Sequence, residues 1–345
     1  MSPKITVIIC HHKGKLIQRA LESVLRSKFV ELQVIVVTSD PTFRYNGGVK
    51  IVFQQGGPAK KRNIGFRFAE HPSIAFFDDD VEVRSDTIFE LWKSLQKDGI
   101  GMVFGKLLNM EHRNRFDEAG SFLTWSGFLW ARAESGIRDV GQFEDEVPIL
   151  AGKSASCMIK RRVFSEIGMF DVSYEILGEE TDLAWRVWLH GHKVLYVPSS
   201  VTYHAFNTKY KPPEFYTSKR VYFNGCRNYI AMLITNLSLI NLIVPLTVQV
   251  IVWSSASLGF LVTGKFEAGW NILKGLSWVV LNLEYILKKR KTVQGSRKVS
   301  DHKLMPFIRR SPPLSYYVNR FFSYIKHGRH GGSYDSPKSP VVLPD

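Results

Sequence analysis

The amino-acid sequence predicts an α/β fold followed by an apolar helical region. Three observations carry this: short β-branched runs alternate with helical patterns, an acidic triplet ends one such run, and a long uncharged stretch precedes a basic tail.

The alternation begins at once. "ITVIIC" (5–10) and "LQVIVV" (32–37) read as strands separated by the helical pattern "LIQRALESVLRS", the strand–helix–strand unit of a parallel sheet. "KIVFQQ" (50–55) continues the strands and "KKRNIGFRFAEH" the helices. "SIAFF" (73–77) is a fourth strand and runs directly into Asp78, Asp79 and Asp80. "IGMVFGKLLN" and "SASCMIK" supply further strands, with helices expected near 86–97 and 180–190. The tail after 330, "GGSYDSPKSPVVLPD", has the composition of a flexible segment.

With 345 residues and 45% apolar content, the chain can bury a substantial core, which excludes global disorder. Cys10, Cys157 and Cys226 are far apart and form no CxxC pair, arguing against a disulfide framework or zinc site and for a reducing compartment. "MSPKITVIIC" lacks the charged, apolar and small-residue regions of a signal peptide.

Charge is uneven. Residues 1–228 carry 31 Lys and Arg against 26 Asp and Glu, whereas residues 229–345 carry 15 against 5. Such a tail suits nucleic acid or an anionic lipid surface. Its neighbour decides for lipid: residues 230–264 contain no ionisable side chain, and about 20 apolar residues suffice to enter a bilayer core. A bilayer-buried helix is expected over about 243–263, after an interfacial segment. A weaker amphipathic run follows at 268–287, closed by "KKRK" at 288–291. Basic residues at both ends (Lys219, Arg220 and Arg227 before, 288–291 after) favour a shallow hairpin returning to one face over a single crossing. The alternative is a buried helix pair in a soluble domain. The expected division is a domain over 1–228, a membrane-associated helical segment over 229–291, and a basic tail over 292–345.

Like charges as close as Asp78–Asp80 are tolerated where a cation neutralises them or a turn is fully solvated. In open α/β sheets, ligands bind beyond the carboxyl ends of the strands, where both the triplet and "CHHK" fall. D-x-D at a strand end can reach one Mg²⁺ or Mn²⁺ shared with substrate phosphates, yet acidic triplets also arise by chance. Three other stretches bear on it. "GGPAKKRNIGF" (56–66) opens a helix with cationic residues suited to a diphosphate, or is an ordinary solvated helix start. The acidic cluster of "LGEETDLAWRV" (177–187) is equally compatible with complementing a helix dipole. "VTYHAF" (201–206) ends a strand-like run at His204, which alone reads as structural.

In this order and spacing, the four stretches resemble glycosyltransferase family 2, the inverting enzymes of GT-A fold, a Rossmann-like mixed sheet flanked by helices. "VIICHHKGKLIQRALESV" matches the opening strand and helix, "KKRNIG" echoes the family's "ARN-x-G", and "FFDDDV" its D-x-D. The segment from "AGKSASCMIK" to "VTYHAF" looks like the acceptor-side half of the rhamnosyltransferase-like branch, and "RNYIAML" with the apolar run resembles that branch's membrane-associating tail. The resemblance covers about residues 4–290.

It implies a divalent metal held by Asp78, Asp80 and His204, with Asp80 the more direct ligand. It places the donor nucleotide at His11, Thr38, Asp40, Arg62, Asn63, Asp78 and Asp79, and the general base at Glu180, with Glu179 and Asp182 orienting it or substituting for it. Two departures stand out: Glu180 is one methylene longer than the family's Asp, and "VVTSDP" has Thr38 and Ser39 where acidic residues usually read the nucleobase.

The implied function is transfer of a sugar from a UDP-, dTDP- or GDP-linked donor to a lipid-linked saccharide or other glycan, at the cytoplasmic membrane face, with no nucleic-acid partner. Two alternatives remain: a polyprenyl-phosphate glycosyltransferase, in which Glu180→Gln would be mild, and a non-catalytic glycan- or membrane-binding scaffold on a decayed transferase fold.

Overall fold

The computed structural model describes residues 2–205, 219–313, 315 and 318. The first strands form where the β-branched runs predict them: β1 (Lys4–His11), β2 (Glu31–Thr38), β3 (Val49–Phe53) and β4 (Ser73–Asp78). They are mutually parallel, in the order β4-β1-β2-β3. Successive residues of β1 alternate between the two cores, Ile8 on one and Ile5, Val7 and Ile9 on the other. Burial on both faces is why the strand reads as an unbroken apolar run. Helix α1 (Leu16–Leu25) covers one face with Ile17, Ala20, Leu21 and Val24. Helix α2 (Pro58–Phe66) covers the other, and the missing side chain of Gly65 allows close approach: a Cβ there would lie 2.6 Å from Ile8 Cγ2.

The second half of the sheet is mixed. After β5 (Val81–Val83) and α3 (Thr87–Leu95) come β6 (Ile100–Asn109), β7 (Phe116–Glu118), β8 (Ser121–Leu123), β9 (Leu129–Ala131), β10 (Val147–Pro148) and β11 (Ser156–Lys160). Helices α4 (Arg161–Glu166) and α5 (Glu179–Leu189) then lead into β12 (Lys193–His204). Strand β11 lies antiparallel between β4 and β6, and β12 lies parallel beside β6. Registers converge at one end: His11 pairs with Thr38, Cys10 with Asp78, and Val81 with His204. The carboxyl ends of β1, β2, β4 and β12 therefore share a single edge.

Five helices complete the described chain: α6 (Lys219–Asn236), α7 (Leu239–Val262), α8 (Phe266–Leu281), α9 (Leu283–Gly295) and α10 (Asp301–Ile308). The boundary expected at 228 falls inside α6, whose Ile230, Met232 and Leu233 are buried in the same core as Phe76 and Phe104 of the sheet. Run 268–287, expected as one amphipathic segment, breaks at Asn282 into α8 and α9. The basic cluster 288–291 is also corrected. Lys289 turns inward to Asp171 and Asp182, and Arg290 caps the end of α6 through the carbonyls of Ile234 and Leu237. Part of the basic tail is folded too, since Arg310 N–H donates to the Leu123 carbonyl. The flexible tail expected after 330 lies outside the described residues.

Helix α7 is the one helix among the described residues long and apolar enough to cross a membrane. It is apolar on both faces, with Leu242, Ala256 and Phe260 buried. Gln249, Trp253 and Ser257 face the protein, with Gln249 donating to the Ser126 carbonyl, while Ile240, Ile243, Val244, Ile251, Leu258 and Val262 are exposed.

A chain ending at 228 leaves the α6 contribution to the core uncovered. It is expected to aggregate or melt without a cooperative transition in a thermal-denaturation scan, where the full chain melts cooperatively.

Candidate active site

Strand register gathers the charged residues. Asp78 ends β4, Asp80 precedes β5, and antiparallel pairing of β5 with β12 brings His204 beside Asp80, Nε2 to Oδ1 3.3 Å. One ligand atom each from Asp78, Asp80 and His204 lies within 4.8 Å of the others. The other ring nitrogen of His204, Nδ1, meets Asp117 Oδ2 at 2.8 Å. Strand β7 delivers Asp117 there by pairing with β6. Lys153 Nζ donates in turn to Asp117 Oδ1 at 2.6 Å. Burial alone would raise the Asp117 pKa, but Lys153 and His204 hold it down at about 2. Burial would lower that of His204, and Asp80 and Asp117 overcome this to raise it to about 9 without a metal, so a cation at Nε2 would have to displace that proton.

Two carboxylates and an imidazole, with the far ring nitrogen fixed by a carboxylate, form a donor set suited to a divalent cation. The imidazole tilts preference toward Mn²⁺ over Mg²⁺, which prefers an all-oxygen shell. These residues therefore fit the metal that the acidic triplet implies.

Arg62 links this group to the acidic helix. Its guanidinium, 2% exposed, donates to Asp78 Oδ1 at 2.8 Å and reaches Glu179 Oε1 at 3.4 Å. Glu179 and Glu180 begin α5, directly after Gly178 in left-handed backbone at φ 90°. Glu180 is half-buried, and burial together with the Glu179 carboxylate pushes its pKa well above the ordinary 4.5. Glu118 Oε2 lies 3.9 Å from Nζ of Lys153, and burial raises its pKa to about 7. Sequence reasoning missed Asp117, Glu118 and Lys153.

A second group lies at the ends of β1 and β2. His11 Nδ1 and Thr38 Oγ1 are 2.9 Å apart, and Thr38 Oγ1 accepts from Asp40 N–H at 2.9 Å. Asp40 caps its own turn by accepting from the backbone and hydroxyl of Thr42. Asp79 accepts from His12 N–H at 3.1 Å, tying the two groups together.

Two expected site residues have other work. Asn63, expected at the donor diphosphate, uses its amide in a reciprocal pair with the Phe170 backbone, at 2.8 and 3.0 Å. Asp182 is fully buried and shared among Arg186, Lys289 and Asn236, so its carboxylate anchors α5 and does not join the group around Glu180.

If His204 is oriented through Asp117, then Asp117→Asn should weaken Mn²⁺ binding about 10- to 100-fold in calorimetry while leaving the far-UV circular dichroism unchanged.

Comparison with known proteins gives this arrangement a family. A model described as glycosyltransferase like family 2 matches residues 3–221. Polypeptide N-acetylgalactosaminyltransferase 9 of Macaca fascicularis is 26% identical over 176 residues, 48% of this chain and 29% of that protein. Polypeptide N-acetylgalactosaminyltransferase 18 of Homo sapiens is 28% identical over 184 residues, 51% of this chain and 29% of that protein. The match thus spans less than a third of the length of these curated relatives. Among solved structures, S. aureus TarS 1–349 in complex with UDP-GlcNAc superposes with TM-score 0.55 at 16% identity, covering 85% of this chain and 91% of that one. GalNAc-T7 with UDP, GalNAc and Mn²⁺ gives 0.53 at 18% identity, covering 68% and 48%. At such identities the likeness is one of fold, the GT-A fold. The chain belongs to the glycosyltransferase-like family 2.

Proposed function

We propose that this chain is a metal-dependent inverting glycosyltransferase that moves a sugar from a nucleotide-sugar donor to a lipid-linked saccharide or other glycan at the cytoplasmic face of a membrane. The observation that carries the reading is the closeness of two unlike acidic groups: the Asp78–Asp80–His204 set and the Glu179–Glu180 pair, joined by buried Arg62.

Asp78, Asp80 and His204 would hold the cation, which when bound neutralises charge on the donor diphosphate. The protein's own residues do the rest. His11, Thr38 and Asp40 line the strand ends where a nucleoside would sit, beside the start of α2 with its free backbone N–H groups. Glu180 accepts the proton of the acceptor hydroxyl. The acceptor oxygen forms its bond to the anomeric carbon from the face opposite the donor phosphate, and the nucleoside diphosphate departs with the electrons of the broken C–O bond. Arg62 pairs with Asp78 on one side and Glu179 on the other, and so holds the start of α5 against the end of β4.

The membrane part of the reading rests on α7. Its inward face is committed to the protein through Gln249 and Trp253, so crossing a bilayer would require it to leave the fold; lying in the interfacial plane with its Ile and Val side chains in lipid does not. Wild type should float with anionic vesicles on a density gradient, and Ile243→Glu with Ile251→Glu should stay at the bottom. Equal flotation of both would remove this face from the account.

The catalytic part is tested with a panel of UDP-, dTDP- and GDP-sugars and Mn²⁺. The names of the curated relatives make UDP-N-acetylgalactosamine with a Ser/Thr peptide a necessary arm. Glu180→Gln should lower kcat about 10²- to 10⁴-fold at unchanged donor KM. Because the base must be unprotonated and its pKa is raised, wild-type kcat should climb with pH through a midpoint above 4.5. A mild Glu180→Gln phenotype would favour transfer to a polyprenyl phosphate, which needs no base.

A further inference from the structure

The segment from Asp171 to Asp182 leads into and carries both cleft glutamates, and it is held from outside itself. Leu177 adopts φ 66° and Gly178 φ 90°, so a leucine sits in a backbone region that its Cβ disfavours, immediately before Glu179. Helix α6 supplies the restraint. The Asn228 amide donates to the carbonyls of Ile176 at 2.9 Å and Leu177 at 2.7 Å, and Arg227 donates to that of Ser173 at 2.8 Å. Helix α9 adds Lys289, paired with Asp171 and, at 3.2 Å, with Asp182. On the opposite side the segment abuts the donor-side helix α2: a Cβ on Gly57 would lie 2.6 Å from the Glu175 carbonyl. The segment is thus clamped between α2 and the C-terminal helices, whose other faces pack against the apolar α7–α8 hairpin.

We propose that Asn228, with Lys289 behind it, is a positioning residue of the transfer reaction: it fixes the left-handed turn at 177–178 so that α5 presents Glu180 to the acceptor. This rests on the reading of Glu180 as base and extends it, because it makes the C-terminal helices part of the active-site architecture. Asn228 is the residue to test, since removing Lys289 would take the cation from Asp171 and leave Asp182 with Arg186 as its cation.

Asn228→Ala should lower transfer kcat about 10- to 100-fold, the scale of an ångström misplacement, at unchanged donor KM and unchanged calorimetric affinity for UDP or GDP with Mn²⁺. The decisive arm is a double-mutant cycle. If Asn228 acts through Glu180, adding Asn228→Ala to Glu180→Gln should lower kcat less than about twofold further, whereas a general structural role would remain additive. The near-isosteric Asn228→Leu serves as a second variant and carries the same expectation should the alanine not fold. Full additivity, an equal loss of nucleotide affinity, or wild-type kcat in both variants would overturn the inference while leaving Glu180 in place. A wild type that transfers from no donor would overturn the functional reading, and this inference with it.

Discussion

Carboxylates crowded at one edge of a sheet must be compensated, and the whole functional end of this molecule is organised around that requirement. Asp78, Asp80, Asp117, Glu118, Glu179 and Glu180 converge there, and the protein supplies Arg62, Lys153 and His204 against them. Arg62 is the central element. Its guanidinium is planar and permanently charged, and it can serve Asp78 and Glu179 at once, which a lysine in its place could not do with the same geometry. Removing one partner of such a buried pair costs about 3–5 kcal/mol, because the other charge is left uncompensated. Among the described residues the carboxylates at this edge outnumber the cations, a balance that suits a divalent cation.

The fold makes that crowding possible. Parallel pairing of β1, β2 and β4 brings three carboxyl ends into one row, and the β5–β12 pairing adds His204 from a strand more than a hundred residues later. Antiparallel β7 contributes Asp117 from below. The acidic helix α5 is brought up from the other side, fastened to α2 through Phe170 and Asn63 and to the C-terminal helices through Lys289, Arg227 and Asn228. Helix α2, helix α5 and the apolar α7–α8 hairpin are therefore parts of one packed body.

The parts legible in the sequence are those with a strong local physical signature. Strands buried on both faces give unbroken apolar runs, so β1, β2, β4 and β6 are evident, and the acidic triplet at the end of β4 marks the edge where the charged residues meet. Short strands give no such signal: β7 is three residues long, and nothing in "FDE" reveals that pairing with β6 sets Asp117 against His204. Side-chain allegiance is equally hidden. Asn63 sits in a motif suited to a diphosphate yet binds the Phe170 backbone, and Lys289 and Arg290 belong to a run that reads as a lipid-facing flank yet turn inward. In each case the competing partner comes from a segment distant in sequence.

The central claim is that one cation answers the charge excess between β4 and β12. Anomalous diffraction at the manganese edge, from crystals of the full chain soaked with Mn²⁺ and a nucleoside diphosphate, tests it directly. The account predicts a single strong peak within coordination distance of Asp80 and His204, with the diphosphate on its open side. A peak elsewhere, or a diphosphate bound at this edge with no metal beside it, would contradict it.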